Sequence, residues 1–336
     1  MQADSIPVSP SLFTRLATLG VDGQRVLLGA GVRAATAGTA KLQLTTARYF
    51  ALWNAIGTVS GDPAIGLHIG TQTLTEQLDI ASLSALHSAN LGEALRKLAR
   101  YKRLICPEDI RVDMHAGQAA VSFRWVLADG FAPDLLTDAT FASTVALAQR
   151  GSGKKVKPLR IELTRRAANR QLLTRHFGCE IAFDSPMDTL VFDAAVLDLP
   201  FATHNEDLLA LLLPELDAGL AALAKNRPFP DEVDAVLARS LHGQRPSVES
   251  LARELGVSPR TLQRRLTENG TTYQQRLDAV RQRISRQLLQ RTDLALGEIA
   301  YFLGFEEINS FWRAFSQWEG VTPKQWRARE VRAQGG

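Results

Sequence analysis

Cysteine is nearly absent. The 336 residues hold two, Cys106 and Cys179. Two thiols make no disulfide framework, and neither stands at a zinc-ligand spacing, so a disulfide- or zinc-stapled scaffold is excluded. The histidines His68, His87, His115, His176, His204 and His242 contain no i,i+4 pair, so no metal and no cofactor is expected. Long apolar runs are missing as well: the richest stretch, Leu208 to Ala224, is broken by Pro214, Glu215 and Asp217, and a spanning helix needs about 20 apolar residues. The start of the chain carries Asp4 and no basic-then-apolar leader. A cytoplasmic protein with no membrane contact is therefore expected. No Ser-His-Asp or paired-carboxylate constellation can be assembled, so an enzyme is not expected.

Charge of one sign is scarce overall, with a net of +4 from 39 Lys+Arg against 35 Asp+Glu. Its distribution is informative. Residues 240–336 hold 15 basic against 10 acidic residues, whereas residues 1–239 hold 24 against 25. Eight arginines lie between Arg260 and Arg291, against Glu268 and Asp278. A second stretch, Arg150 to Arg175, holds nine Lys+Arg against Glu162. Clustered positive charge marks either a phosphate contact or a solvated face.

The first ~105 residues read as helical. Thr45-Thr46 opens one helix, closed by Gly57 and Gly61. Asn90 is an N-cap with Glu93 at the capping-box position, followed by Leu91, Leu95, Leu98, Tyr101 and Ile105 on one face, with Lys97, Arg100 and Arg103 mostly off it. The period then becomes two. Ile110, Val112 and Met114 alternate with Arg111, Asp113 and His115, and Val121, Phe123 and Trp125 alternate after Gly117, which reads as a hairpin. Residues ~107–195 continue as strand, strand, helix, strand, helix, strand. The fold expected is an α+β N-terminal domain, a helical cap on a small mixed sheet, followed by an all-α C-terminal domain with two helix-turn-helix units joined by a linker helix. The domains are expected at 1–225 and 231–330. The linker, 226–230, falls where Lys225-Asn226-Arg227-Pro228-Phe229-Pro230 breaks a helix.

The C-terminal hundred residues hold one motif twice: Leu251-Ala252-Arg253-Glu254-Leu255-Gly256-Val257 and Ile299-Ala300-Tyr301-Phe302-Leu303-Gly304-Phe305. The small Ala lets two helices approach, and the Gly supplies the positive φ that ends the first of them. Ser258 with Pro259 at N1 then opens the next helix. Leu262 and Leu266, then Phe311 and Phe315, are the inward faces of the second helices. A helix from Tyr273 to Gln290, ~27 Å long, joins the units, a length suited to holding two recognition helices about one DNA turn apart.

On these residues the C-terminal region resembles the DNA-binding domain of AraC-type transcription regulators. The second half carries the more specific match, from Ile299-Ala300 through Ser310-Phe311-Trp312-Arg313-Ala314-Phe315 to Trp318-Glu319-Gly320-Val321-Thr322-Pro323-Lys324-Gln325-Trp326-Arg327. The resemblance implies double-stranded DNA as partner, read in two adjacent major-groove segments. It places the DNA-binding positions on Ser258, Arg260, Thr261, Gln263 and Arg264 in the first unit. In the second they fall on Ile308, Asn309, Ser310, Trp312 and Arg313. Side-chain chemistry matches Arg260 and Arg264 to guanine, and Gln263 and Asn309 to adenine. Ile308 and Trp312 are bulkier and more apolar than many members carry there.

The N-terminal two-thirds resembles the effector-binding domain of the branch related to ornithine-utilisation regulators. The resemblance rests on Gly61-Asp62-Pro63-Ala64-Ile65-Gly66-Leu67, on Leu91-Gly92-Glu93-Ala94-Leu95 with Tyr101, and on Phe183-Asp184 with Leu190-Val191-Phe192. It implies an unidentified small-molecule effector, RNA polymerase as a partner of an activator, and leaves open a homodimer and the sign of regulation. The Leu208, Leu209, Leu212, Leu216, Leu220 and Leu223 stripe suits either a dimer or internal packing. A rival reading, an enzyme-like N-terminal domain targeted to DNA, has no catalytic group to name. Gly29-Ala30-Gly31-Val32-Arg33-Ala34 mimics a dinucleotide fingerprint, but no acidic residue stands ~20 positions on. Cys106 reads as a buried structural thiol rather than a redox sensor.

Overall fold

The structure is a computed structural model. It describes residues 4–32, 42–72, 78–125, 128, 131–226, 228–241, 243, 245–292 and 294–334. Strand β1 (Ile6–Val8) pairs antiparallel with β2 (Leu42–Leu44), and α1 (Pro10–Thr18) and α2 (Gly23–Gly29) lie between them in sequence. The expected all-helical start is thus corrected by a two-stranded ribbon. Both three-residue strands lack the flanking alternation that would let a period of two register against the surrounding helices. The Gly29 to Val32 part of the fingerprint-like run ends helix α2 and so follows a helix, not the strand a dinucleotide fingerprint needs. Arg33 and Ala34 lie outside the described residues.

Helix α3 (Thr46–Ser60) starts where the Thr45 hydroxyl accepts from the Arg48 N–H, and ends at Gly61 with φ +63°. Gly57, expected to share in closing it, sits inside the helix. Next come α4 (Ile65–Thr71), α5 (Ile80–Leu86) and α6 (Leu91–Tyr101). Asn90 caps α6 as expected, accepting from the Glu93 N–H at 2.9 Å. Glu93 reaches back one residue further than a standard box, to the Ala89 N–H. Lys97, expected off the buried face, is buried with its ammonium on Glu93.

The sheet follows. Strands β3 (Glu108–His115) and β4 (Gln118–Trp125) form the expected hairpin, turning through Ala116 and Gly117, both at positive φ. Helix α7 (Asp134–Ser152), β5 (Arg160–Glu162), α8 (Arg170–Phe177), β6 (Glu180–Ala182) and β7 (Asp188–Asp193) complete it. The strand order is β3-β4-β7-β5-β6, with β5 and β6 parallel and the other pairs antiparallel. Strand β6, again three residues long, was not visible in the sequence pattern. One face of the sheet, with Ile110, Val121, Leu190 and Phe192, packs on Leu91 and Leu95 of α6 and Phe141 of α7. The residues alternating with Ile110 on β3, namely Asp109 and Arg111, face the C-terminal helices. Arg111 donates to the Arg239 carbonyl at 2.9 Å, and Arg239 reaches Asp109 at 3.5 Å.

Helix α9 (Glu206–Asn226) leads to α10 (Phe229–Ser240), α11 (Val248–Glu254), α12 (Pro259–Glu268), α13 (Tyr273–Arg291), α14 (Leu296–Phe302), α15 (Ile308–Glu319) and α16 (Pro323–Gln334). Arg227 lies outside the described residues. In α9, Leu209 and Leu216 are buried, whereas Leu211 is exposed. From α10 onward one continuous core runs through both repeats, joining Val233 and Leu237 to Leu262, Val280, Ile299 and Phe311. Among the described residues no helix is long and apolar enough to cross a membrane.

Candidate nucleic-acid interface

The two repeated motifs fold as paired hairpins of helices, α11–α12 and α14–α15. Ala252 and Ala300 are buried in the shared core. Gly256 and Gly304 both take left-handed backbone, at φ +67° and +68°, where a side chain would be strained. In the first unit Ser258 accepts from the Thr261 N–H at 3.1 Å and lies 2.8 Å from the Thr261 hydroxyl. Both hydroxyls therefore serve the start of α12. Leu262 and Leu266 turn inward, while Arg260, Gln263 and Arg264 are exposed on the opposite side. Arg264 donates to Glu268 one turn on, at 2.7 Å.

In the second unit Phe311 and Phe315 are fully buried and stack edge to face. Ile308, Asn309, Trp312 and Arg313 are exposed, and Ser310 is half-buried within 3.4 Å of the Arg313 guanidinium. The two recognition surfaces differ in chemistry. Helix α12 offers two arginines and a glutamine, polar groups for base edges and phosphates. Helix α15 offers Ile308 and Trp312 four residues apart on one face, apolar bulk of the kind that meets a thymine methyl. Linker helix α13 has 19 residues, which spans about 28 Å. Its Leu277, Val280 and Leu288 bury the expected stripe.

The arginine-rich stretch is less available to DNA than its sequence implies. Arg276 binds Asp234, and Arg286 donates to Glu319 at 2.7 Å. The Arg265 guanidinium lies over the Phe229 ring, 5.2 Å from its centroid. Arg281 is buried; burial, aided by Arg245, pulls its pKa down to about 10. The basic stretch from Arg150 to Arg175 likewise disperses. Arg150 donates to the Thr71 carbonyl, Arg160 to Glu162 and Gln118, Arg165 to Asp138 and the Asp134 carbonyl, and Arg170 to the Ile181 carbonyl. Four of its nine basic residues thus tie neighbouring elements together, while Lys154, Lys155, Lys157, Arg166 and Arg175 are exposed.

Three residues at the joint between sheet and C-terminal helices were not singled out by sequence reasoning: Asp109, Arg124 and Arg239. Asp109 is buried although charged, and Arg103 donates to it at 2.9 Å. Their only sequence signal was position, on the polar alternate of the β3–β4 hairpin and on a helix beyond the linker.

Residues 20–201 match the family described as the arabinose-binding domain of AraC transcription regulator, N-terminal, and residues 251–329 match a helix-turn-helix domain family. An ornithine utilization regulator of Pseudomonas aeruginosa is 29% identical over 97% of each chain. The transcriptional activator NphR of a Rhodococcus species is 30% identical over 43% of this chain and 45% of its own. Among solved structures, the transcriptional regulator CdpR of Pseudomonas aeruginosa covers 91% of this chain and 96% of its own, with 21% identity and a TM-score of 0.43.

Proposed function

The chain belongs to the AraC-type transcription regulators, with an N-terminal ligand-binding domain and a C-terminal helix-turn-helix DNA-binding domain, and on that premise we propose which residues read DNA. Arg260, Gln263 and Arg264 of α12 contact one major-groove segment. Ile308, Asn309, Ser310, Trp312 and Arg313 of α15 contact the adjacent one, and Ser258 with Thr261 fixes the start of α12. The observation that carries this reading is the solvent exposure of Arg260, Gln263, Arg264, Ile308, Asn309, Trp312 and Arg313 on two helices whose opposite faces share one core. Arg281, Arg276 and Arg286, held by protein acceptors, stay out of the interface.

The working division places sensing in residues 1–225, the linker at 226–230 and DNA reading in 231–330. A small molecule on the N-terminal domain shifts the protein between arrangements with different operator affinity. The relative named for ornithine utilization makes an amino acid the first effector to try. The domain binds its ligand without turning it over, the regulator contacts RNA polymerase as an activator, and a second copy pairs through the exposed side of α9, where Leu211 stands out.

Selection of bound duplexes from a random library with the full chain tests the reading. Enriched sequences should carry two conserved segments about 10 base pairs apart, centre to centre. Enrichment of no sequence over random would remove it.

A further inference from the structure

A cavity of about 480 Å³ opens where α6, the end of α9, α10 and the end of α11 meet. Its polar wall is mixed: Arg100, Arg103 and Arg239 stand with Glu232 and Glu254. Arg103 donates to the buried Asp109, and Arg239 approaches the same carboxylate oxygen at 3.5 Å while donating to Glu254 at 2.8 Å. Arg100 is held by Asp217 at 2.8 Å. The wall facing them is aliphatic, with Leu220, Leu223, Val236 and Leu255.

Asp109 also stands directly across the β3–β4 ladder from Arg124, which lines a separate cavity of about 60 Å³. One buried carboxylate is thus shared between Arg103 and Arg239, while the Arg124 guanidinium donates to the Met187 sulfur. Nη1 of Arg124 and Nη1 of Arg239 are buried and have no hydrogen-bond acceptor. Burial, opposed by Asp109 and aided by the nearby Arg283, Arg111 and Arg239, brings the Arg124 pKa down to about 10. A buried donor without an acceptor is costly, and a guanidinium offers a planar fork matched to a carboxylate.

We propose that the larger cavity is the effector site and takes a small carboxylate with an aliphatic body, its acid group on Arg239 and Arg103 and its body against Leu220, Leu223 and Val236. This inference rests on the effector-responsive reading above and adds the chemical class and the route. The bound acid competes with Asp109 and Glu254 for the same guanidinium groups. Asp109 belongs to the sheet, and Glu254 closes the first helix of the first helix-turn-helix unit. Occupancy therefore changes the tie between the sensor sheet and the unit that carries α12, which is a differential contact of the kind coupling requires. Domain joints lined by apolar groups with a few convergent charges are common ligand sites.

Calorimetric titration of the full chain with hexanoate and L-norleucine, carboxylates without and with an α-amine, tests the site, with hexanamide as the neutral control. At least one carboxylate should bind, with hexanamide weaker by about tenfold or more. Arg239→Gln should weaken carboxylate binding by about tenfold. Leu223→Trp leaves every charge in place and fills the cavity, and should abolish binding in a protein that still binds its selected DNA. Failure of both carboxylates to bind, or binding unaltered by Leu223→Trp, overturns the proposal. If the wild-type chain still selects DNA in either event, only the site is lost. If it selects none, the regulatory reading beneath it falls instead.

Discussion

Arg281 reaches from the linker helix to the turn of the second helix-turn-helix unit and donates to the Gly304 carbonyl at 2.6 Å, with a second bond to the Leu303 carbonyl at 2.9 Å. Its guanidinium also lies over the Phe305 ring, 4.0 Å from the centroid. The end of a helix leaves carbonyls without partners, and here a side chain from another helix supplies them. The unit that presents Ile308 and Trp312 is thereby fixed to α13 by a buried cation. Arg281→Met removes the donors and leaves two carbonyls unanswered, which costs about 1–3 kcal/mol per buried group. Chemical denaturation should show a loss within that range or above. The salt slope of DNA binding should stay unchanged, because Arg281 meets no phosphate. A shallower slope in the variant would return Arg281 to the DNA interface.

The exposed Arg264–Glu268 pair gives a prediction of opposite character. Both side chains are more than half exposed, so the pair adds at most about 1 kcal/mol to stability. Its consequence is for DNA, since Glu268 holds Arg264 in the free protein. Arg264→Ala should cost about 1–3 kcal/mol at one base position and relax specificity there. Glu268→Ala should leave stability nearly unchanged and raise affinity for random duplex by releasing the arginine. Competition binding on the selected site and on its single-base variants measures both. Equal affinity of Arg264→Ala for cognate and altered sites would remove Arg264 from base reading.

Helix α4 meets α7 through two glycines. A Cβ on Gly66 would stand 2.5 Å from the Leu135 carbonyl oxygen, and one on Gly70 would stand 2.3 Å from that of Ala139. Neither glycine has positive φ, so the constraint is space. Gly70→Ala should therefore destabilise the N-terminal domain by about 1–3 kcal/mol through a forced shift of packed backbone. Thermal unfolding of the full chain gives the measurement, and a variant as stable as the parent would mean that α4 and α7 separate without cost.

How much of this was legible follows from element length and from the range of the contacts. The repeated Ala and Gly of the two units, the Ser258 cap and the inward Leu262, Leu266, Phe311 and Phe315 are local signals, and the structure places each where the spacing put it. Asn90 and the Ile110–Trp125 hairpin were legible for the same reason. Strands β1, β2 and β6 were not, because none of them continues the alternation of large aliphatic and charged residues that Leu159 to Leu163 give the equally short β5. Charge was the least legible property. Arg165 and Asp138 are 27 residues apart and form a buried pair, whereas sequence counts Arg165 in a basic cluster. Arg239 and Asp109 are separated further still, and only the folded sheet brings them together. The fingerprint-like run at Gly29 shows the converse: a local pattern without its strand has no phosphate site to form.

The two thiols give the last prediction. Cys106 is buried where α6 gives way to β3, and burial pushes its thiol up to about 12. Cys179 is half-buried, and its thiol is raised to about 11 by the same cause. Since the thiolate is the reactive form, both groups stay protonated at neutral pH, and Cys106 is also inaccessible. Reaction with a thiol-exchanging reagent at pH 7.5, about 3.5 to 4.5 units below these values, should be slow for Cys179 and slower for Cys106. Both should react fully once the chain is unfolded in guanidinium. Raising the pH towards 9 should speed Cys179 as its thiolate fraction grows, while Cys106 should follow the rate of opening rather than pH alone. Rapid native labelling of Cys106 at pH 7.5 would instead mark it as an accessible, low-pKa thiol and revive a redox role for that junction.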